Sequence, residues 1–523
     1  MTGRQHAGRI VLLMGCAAGL LGYMAGHSAV MFNDGLRYID QARRLDQGAL
    51  QDGLLKAVDH PAYPVEIVLA HRFLLGDSSP DAWQHAAQAA SLIAGVLWVA
   101  PLYLVAVELF GAASAWLAVV LCFLVPTTGH VLADVMSEGA FLLFWTWGLY
   151  TALRFLRQGD FFWLPMTIGL SALAYLARPE GALLAMAIVA TVGAVPLLRS
   201  TRMLWRRWWA AVAFLILGPS LLVAPYVAMK GGLGTKPAIA RLLGTAPKSA
   251  ATAVERQRPL DPNQSTAETY GIAARQMAQS VREAVTLPLI PFALAGLILA
   301  WPPGGRARAW VMVTFILVAS ALALIRLHAT GGYCTPRHAM VIAYLLIPAA
   351  AFGMHTLVGK ITVPGRWLGL DDARYAAGPA VWAILLGGLG YYFADATLAP
   401  INEAMAGYRD AGTWVAQRVE AHGKFGEKVK FVDVTGLSLY YGGADGYTFA
   451  NLIDAPDDPT VKYIVVRDAH LNGPWPYCKT LKSMTEGLRL LATYPEDRKP
   501  NQAKVFIFMT KNDVAKADTP VRR

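Results

Sequence analysis

Four short stretches of this chain combine residue types that could do chemistry. The first is Asn33-Asp34-Gly35-Leu36-Arg37-Tyr38-Ile39-Asp40, continuing through Gln41-Ala42-Arg43-Arg44, directly behind a long apolar segment. It sets a carboxylate, Asp34, at the mouth of a membrane helix, where a charge is costly unless it is used. Asp34 there suits a general base that deprotonates an acceptor, a ligand to a divalent metal, or a cap for the helix of Leu36–Leu45. The residues alone leave all three open. Asp40 reads as a solvated or paired charge.

The second stretch is Asp134-Val135-Met136-Ser137-Glu138. Two carboxylate clusters meeting on one face are what an acid/base pair or a metal site requires, although Ser137 and Glu138 also fit the start of a capped helix. The third, Arg178-Pro179-Glu180-Gly181, breaks two apolar runs. Arg178 can clamp a phosphate, with Glu180 paired to it or to a neighbour; alternatively the two neutralise each other in a turn. The fourth is His328-Ala329-Thr330-Gly331-Gly332-Tyr333-Cys334-Thr335-Pro336-Arg337-His338. Arg337 stands where a helix begins, a place that favours anions, and His338 beside it could contact a phosphate or tune a carboxylate. Together these residues suit transfer of a group from a lipid phosphate in the membrane to an acceptor outside it. The carboxylates would serve the nucleophile, or a metal if one is bound, and the arginines the leaving phosphate.

Such a set has to be carried by membrane helices. Of 523 residues 55% are hydrophobic and 15% charged, with a mean hydropathy of +0.40. Soluble domains carry about 25% charge. We read about eleven apolar spans, over 8–30, 84–108, 111–131, 138–156, 161–178, 181–198, 208–229, 285–301, 309–327, 338–357 and 376–398. Basic residues set their orientation. If Arg4 and Arg9 stay inside, then Arg154 with Arg157, Arg199 with Arg202, Arg206 and Arg207, Arg306 with Arg308, and Lys360 with Arg366 and Arg374 fall inside too. Loops 31–83, 230–284 and 328–337 and the tail then face outward. The net charge of +11 is accordingly a topology signal and not a nucleic-acid footprint. Leu13-Met14-Gly15-Cys16 loosely resembles a lipoprotein cleavage site, but the apolar run continues to Val30, so the first span reads as an uncleaved anchor.

The chain divides into a membrane part, 1–399, and a polar tail, 400–523. Loop 230–284 opens with Gly231-Gly232-Leu233-Gly234, holds Arg258-Pro259-Leu260-Asp261-Pro262-Asn263, and closes with an amphipathic helix around 273–284. In the tail, 404–421 has helical spacing, 429–434, 463–466 and 505–509 read as strands, and 481–491 reads as a helix. The alternation predicts a small α/β layer, serving as a cap, an acceptor platform or a stabilising appendage. Cys16 and Cys122 lie in spans as packing residues. Cys334 and Cys478 both fall outside, where a disulfide is permitted. No Cys/His spacing resembles a zinc site.

At the four stretches above, the chain resembles the GT-C glycosyltransferases, in the branch that holds protein O-mannosyltransferases and the lipid A aminoarabinose transferase. The acidic residue of the first outer loop corresponds to Asp34 within Asp-Gly-Leu-Arg-Tyr, and the family's Pro-Pro-Leu-Tyr-like element to His60-Pro61-Ala62-Tyr63-Pro64. Ser137-Glu138 matches the start of the fourth helix, Arg178-Pro179-Glu180-Gly181 the turn after the fifth, and Tyr333…Arg337-His338 the later loop that holds lipid phosphate. Ala411-Gly412-Thr413-Trp414 and Tyr440-Tyr441-Gly442 resemble the outer domain of bacterial members.

The resemblance implies a helical polytopic GT-C fold and inversion at the sugar carbon, with a polyprenyl-phosphate sugar as donor and a lipid, glycan or protein as acceptor. Asp34 would be the base, with Glu138 and Asp134 beside it. Arg178, Glu180, Tyr333, Arg337, His338, Tyr63 and His60 would meet the substrates. The family's first motif often carries two adjacent acids, whereas Gly35 follows Asp34 here, which argues against a two-carboxylate metal site in that motif. The absence of a retention signal favours a prokaryotic inner membrane, with site and tail outside by the pattern of basic loops. Surface-polysaccharide polymerase or ligase, transporter and scaffold are the competing classes; a transporter would carry charges in mid-helix or in paired repeats.

Overall fold

The apolar runs form helices. The computed structural model describes residues 2–194, 205–232, 265–301, 307–360, 362–364, 374–376, 378–424, 426–473, 475–496 and 502–510. In chain order the helices are α1 (Gly3–Gly26), α2 (Asn33–Asp46), α3 (Ala62–Ala70), α4 (Pro80–Phe110), α5 (Ala112–Leu124), α6 (Pro126–Ala133) and α7 (Glu138–Gln158). There follow α8 (Trp163–Ala177), α9 (Ala182–Ala194), α10 (Trp205–Met229), α11 (Thr266–Val285), α12 (Ile290–Ala300), α13 (Ala307–Gly331), α14 (Met340–Val358) and α15 (Gly378–Leu398).

The protein is an integral membrane protein. Among the described residues six helices are long and apolar enough to cross a bilayer, and up to eight if two bent pairs each count as one span. Trp163–Ala177 and Pro179–Ala194 are shorter apolar helices. Length and apolarity therefore give fewer crossings than the eleven expected. The third expected span is the pair α5 and α6, bent by 71°. The break falls at Val125, because Pro126 lacks an amide proton and disfavours a helical residue before it. Another expected span, 285–301, is only α12, which leaves the amphipathic α11 at 87°. Helix α13 runs on to Gly331, so the first four residues of the expected loop 328–337 are helical. Gly231 and Gly232 are described, whereas the rest of the Gly/Pro-rich stretch to 263 lies outside the described residues, as do Arg199, Arg202, Arg306 and Arg366.

Helices α4, α7 and α14 are mostly buried, and close approach needs small residues. Trp98 of α4 is fully buried; its indole donates to Thr146 Oγ1 of α7 at 2.8 Å, and its ring meets Tyr344 of α14. A Cβ added at Gly296 of α12 would overlap the carbonyl oxygen of Ala349 in α14, and one at Gly353 that of Phe292. At the far end of α7, Arg154 and Arg157 both bind Glu108 of α4, at 3.0 and 2.8 Å. This basic rim lies a 21-residue helix away from the Asp134–Glu138 end, or about 30 Å at 1.5 Å per residue.

After α15 come α16 (Gly407–Gly423) and a five-stranded sheet. Its strands are β3 (Lys430–Asp433), β4 (Gly446–Tyr447), β5 (Val461–Arg467), β6 (Arg489–Tyr494) and β7 (Val505–Met509), in the order β4-β3-β5-β7-β6. A separate short hairpin, β1 (Thr362–Pro364) with β2 (Arg374–Ala376), lies between α14 and α15. β3 is parallel to β4 and β5, while β7 is antiparallel to β5 and β6. Strand alternation divides the core. Phe431, Tyr463 and Val465 pack with Tyr408, Ala411 and Val415 of α16 in the cluster that continues into the membrane helices. Val432, Ile464 and Val466 pack with Tyr477 and Leu481 on the other side.

The helix expected over 481–491 is two elements, Pro476–Thr485 and then β6. Gly487, at φ +74, breaks the helix, and pairing with β7 overrides the helical spacing of the residues after it. Cys334 and Cys478 are each a free thiol. Cys334 sits beside α11, where its carbonyl accepts from Ser280 at 3.2 Å.

Candidate functional site

Asp34 lies in the first turn of α2, where an acidic residue complements the helix dipole. The turn begins at Phe32, with no side-chain cap, so Asp34 is not the helix cap that one reading allowed. Gly35 brings α2 onto the turn before α7: an added Cβ would lie 2.9 Å from Val135 Cβ and Cγ1. A second acid after Asp34 therefore has no room.

Both oxygens of Asp34 accept from guanidiniums. Arg37 Nη1 reaches Oδ1 at 3.1 Å, and Arg337 Nη2 reaches Oδ2 at 2.6 Å. Arg37 also donates from Nε to Asp59 Oδ2 at 2.8 Å. Burial opposes the charge on Arg37, but Asp34 and Asp59 outweigh it and hold its pKa above the ordinary arginine value. Arg337 stacks over Phe32 at 4.9 Å, and Arg337 Nη1 points at Met136 Sδ. The Asp34 side chain is 13% exposed and that of Arg337 23%, so the pair is accessible but poorly screened.

Beside it stands a second cluster. Arg178 Nη1 binds Glu138 Oε1 at 2.5 Å, and its fork binds Glu180, with Nη2–Oε1 at 2.8 Å and Nε–Oε2 at 3.3 Å. Arg178 thus does more than neutralise its own turn, because it joins α7 to the α8–α9 corner. Tyr38 shares a hydrogen bond with Ser137 Oγ at 3.0 Å and feels the charges of Asp59, Glu138, Arg178 and Asp34. His338 feels Arg337, Arg178, Glu180 and Asp34, while its Nδ1 meets Thr335 Oγ1 at 2.7 Å and its ring lies 5.6 Å from that of Tyr333. Asp34, Glu138, Arg178, Glu180, Arg337 and His338, read from four separate stretches, form one neighbourhood.

Three candidates sit apart from this chemistry. Tyr63 is fully buried, its hydroxyl donating to the Ala87 carbonyl at 2.9 Å and meeting Ser91 Oγ at 2.8 Å. His60 is buried against the rings of Tyr175 and Tyr226. Asp134 is buried, and its carboxylate accepts from the Val135 amide at 2.7 Å, the Phe32 amide at 3.2 Å and Asn402 Nδ2 at 2.8 Å. Burial lifts its pKa to about 6, with those donors pulling the other way. Its position is that of a tie between segments.

Residues not singled out from the sequence also belong here, Arg37, Tyr38 and Asp59, while Asn402 holds Asp134. The i, i+3 spacing of Asp34 and Arg37 on a helix was a usable signal; Asn402, far along the chain, offered none. Among the described residues no three His, Cys, Asp or Glu side chains form a group that could hold a metal. The carboxylates face arginines instead of one another, so the residues present do not fit a divalent cation.

Residues 81–227 match the family model described as dolichyl-phosphate-mannose-protein mannosyltransferase. That stretch contains Asp134, Glu138, Arg178 and Glu180, while Asp34 and Arg337 flank it. Curated protein sequences give no match. Among solved structures, ArnT from Cupriavidus metallidurans, crystallised bound to undecaprenyl phosphate, is 14% identical with a TM-score of 0.58. That alignment covers 98% of this chain and 99% of ArnT. The archaeal oligosaccharyltransferase AglB from Archaeoglobus fulgidus, in complex with an inhibitory peptide and a dolichol-phosphate, is 13% identical with a TM-score of 0.59. It is matched over 99% of this chain and 75% of its own. The apo oligosaccharyltransferase of the same organism is 14% identical at a TM-score of 0.58, over 88% and 70%. At these identities the likeness to the solved structures is one of fold.

Proposed function

We propose that this chain, whose residues 81–227 match a mannosyltransferase family model and whose fold is like those of AglB and ArnT, is a membrane glycosyltransferase that moves a sugar from a polyprenyl-phosphate donor to an acceptor at the outer face of the membrane. The observation that carries the reading is Asp34 held between Arg37 and Arg337, beside Arg178. A base and the cations for a leaving phosphate are what a single displacement at the anomeric carbon needs.

An acceptor X–H enters next to Asp34. Its lone pair forms the new bond to the anomeric carbon on the face opposite the phosphate. The carbon–oxygen bond to phosphate breaks, and its electron pair leaves on the phosphate oxygen. The acceptor proton passes to Asp34, and the configuration inverts. A carboxylate bound to two guanidiniums is a poor base, so the donor also acts as an activator: its phosphate competes for Arg337 and releases Asp34 Oδ2. Glu138 and Glu180 hold Arg178 so that its charge is presented to the same phosphate, and Tyr333 and His338 flank the entry. No step requires a metal.

In this reading eleven passes put all four chemical stretches at the outer ends of helices. Residues 1–399 form the catalytic membrane part and 400–523 an extracytoplasmic layer in a prokaryotic inner membrane. The direct test is the purified protein with a panel of radiolabelled polyprenyl-phosphate sugars. Release of sugar from one of them is expected; no release from any, by protein shown to be folded, overturns the proposal.

A further inference from the structure

Three successive residues ahead of the Asp34 helix are held from the C-terminal part of the chain, and a fourth through Asp134. The Ala29 amide donates to the Ile401 carbonyl at 3.0 Å. The Val30 carbonyl accepts from Asn402 Nδ2 at 2.9 Å, and the Met31 amide donates to Tyr441 Oη at 3.2 Å. The Phe32 amide donates to Asp134, which also accepts from the same Asn402 amide, at 2.8 Å. Tyr441 is anchored in turn, donating to Gln84 Oε1 of α4 at 2.7 Å. Asn402 takes up φ +55, a left-handed conformation that asparagine tolerates better than most residues. Its one NH2 group thereby bridges a carbonyl and a carboxylate.

Phe32 is the residue on which Arg337 stacks, and Asp34 follows two positions later. The backbone that aims Asp34 at Arg337 is therefore held by Ile401 and Asn402 of the segment that joins the tail to the last membrane helix, by Tyr441 of the tail, and by Asp134. We infer that Asn402, through Asp134 and Val30, is a positioning residue for Asp34, and that the tail is thereby part of the catalytic apparatus. The inference rests on the reading of Asp34 as base. It gives Asp134 a role other than catalysis.

Substitution at Asn402 separates the side chain from the backbone. Asn402→Gly keeps the left-handed conformation at little cost and removes only the bridging amide. Asn402→Asp keeps size and conformation but sets a second carboxyl against Asp134. Of the other titratable groups with electrostatic contact to Asp134, Glu138 is paired with Arg178, and Tyr63 and Tyr441 are kept protonated by burial. Burial already lifts the Asp134 carboxyl to about 6, and a second carboxyl facing it favours proton uptake further, so that at the lower pH one of the two holds a proton and can donate again.

The experiment uses the full-length protein in detergent or nanodiscs, with two readouts. Hydrogen exchange follows the backbone amides of residues 29–34, which needs no turnover. Transfer kinetics are compared at pH 6 and pH 8. Expected for Asn402→Gly are faster exchange in that segment and a kcat at least about tenfold lower, with donor KM within about threefold, since small misplacements of reacting groups act on the chemical step. Expected for Asn402→Asp is activity relative to wild type that is about fivefold higher at pH 6 than at pH 8. Unchanged exchange or unchanged kcat in Asn402→Gly, or a pH-independent ratio for Asn402→Asp, overturns the inference. A wild-type protein with no turnover on any donor would sink the transferase reading, while the exchange measurement still decides whether Asn402 holds the segment.

Discussion

Replacing Arg337 with alanine is the most informative perturbation of the phosphate half of the site. At about 4 Å, an effective dielectric near 20 gives roughly 4 kcal/mol between two unit charges. Arg337 is already bound to Asp34 at 2.6 Å, so a phosphate must displace that contact and gains only the difference. A charge-assisted hydrogen bond is worth about 1.5–3 kcal/mol net. Loss of Arg337 should therefore weaken binding of a polyprenyl phosphate roughly tenfold to a hundredfold. Arg337→Lys retains a point charge but lacks the planar fork that can bridge Asp34 and a phosphate, and we expect it to fall between the two. Binding is read by native mass spectrometry or fluorescence titration with undecaprenyl phosphate, on protein whose thermal transition is monitored in parallel. Arg337→Ala that stays folded and binds the lipid phosphate as tightly as wild type would refute the reasoning.

Two further predictions concern the frame around the site. Gly296→Ala forces α12 away from the Ala349 carbonyl of α14; overpacking of this kind costs about 1–3 kcal/mol or more, and the thermal transition in detergent should fall by several degrees, whereas an unchanged transition would contradict the close contact. Burial lifts the Asp134 carboxyl from 3.8 to about 6. Between those values the folded state binds more protons than the unfolded one, so stability decreases as pH rises, by about 3 kcal/mol in all. Asp134→Asn removes this dependence: from pH 4 to 6.5 the wild-type transition should fall relative to that of the variant, and parallel curves would show that Asp134 does not carry it.

How much the sequence made legible depends on how far each interaction reaches along the chain. The first turn of α2 was readable from Asp34 and its neighbours, because capping, dipole and i, i+3 pairing are local. That Arg337 meets Asp34 was readable only as a shared side, inferred from basic loops; the 2.6 Å contact depends on where the turn ahead of α14 sits relative to α2. Tyr63 and His60 were drawn in by a motif, yet the core takes both, since a buried tyrosine hydroxyl must find partners and Ala87 and Ser91 supply them. The helix expected over 481–491 ends early, and Arg489–Tyr494 pairs as a strand, because the edge of β7 lies within reach. Asn402 had no local signature at all. Its meaning comes from two polar groups brought together by the docking of the tail.

The proposed mechanism turns on Asp34 accepting the acceptor's proton. The measurement that tests it most directly is single-turnover transfer by Asp34→Asn, with the donor that the wild type uses and both proteins saturated with it. Asparagine keeps the shape but cannot take a proton and weakens the hold on Arg37 and Arg337. The mechanism predicts that donor still binds while sugar transfer falls by about a hundredfold or more, the scale of a lost general base. Transfer at the wild-type rate would contradict it and assign the proton to another group.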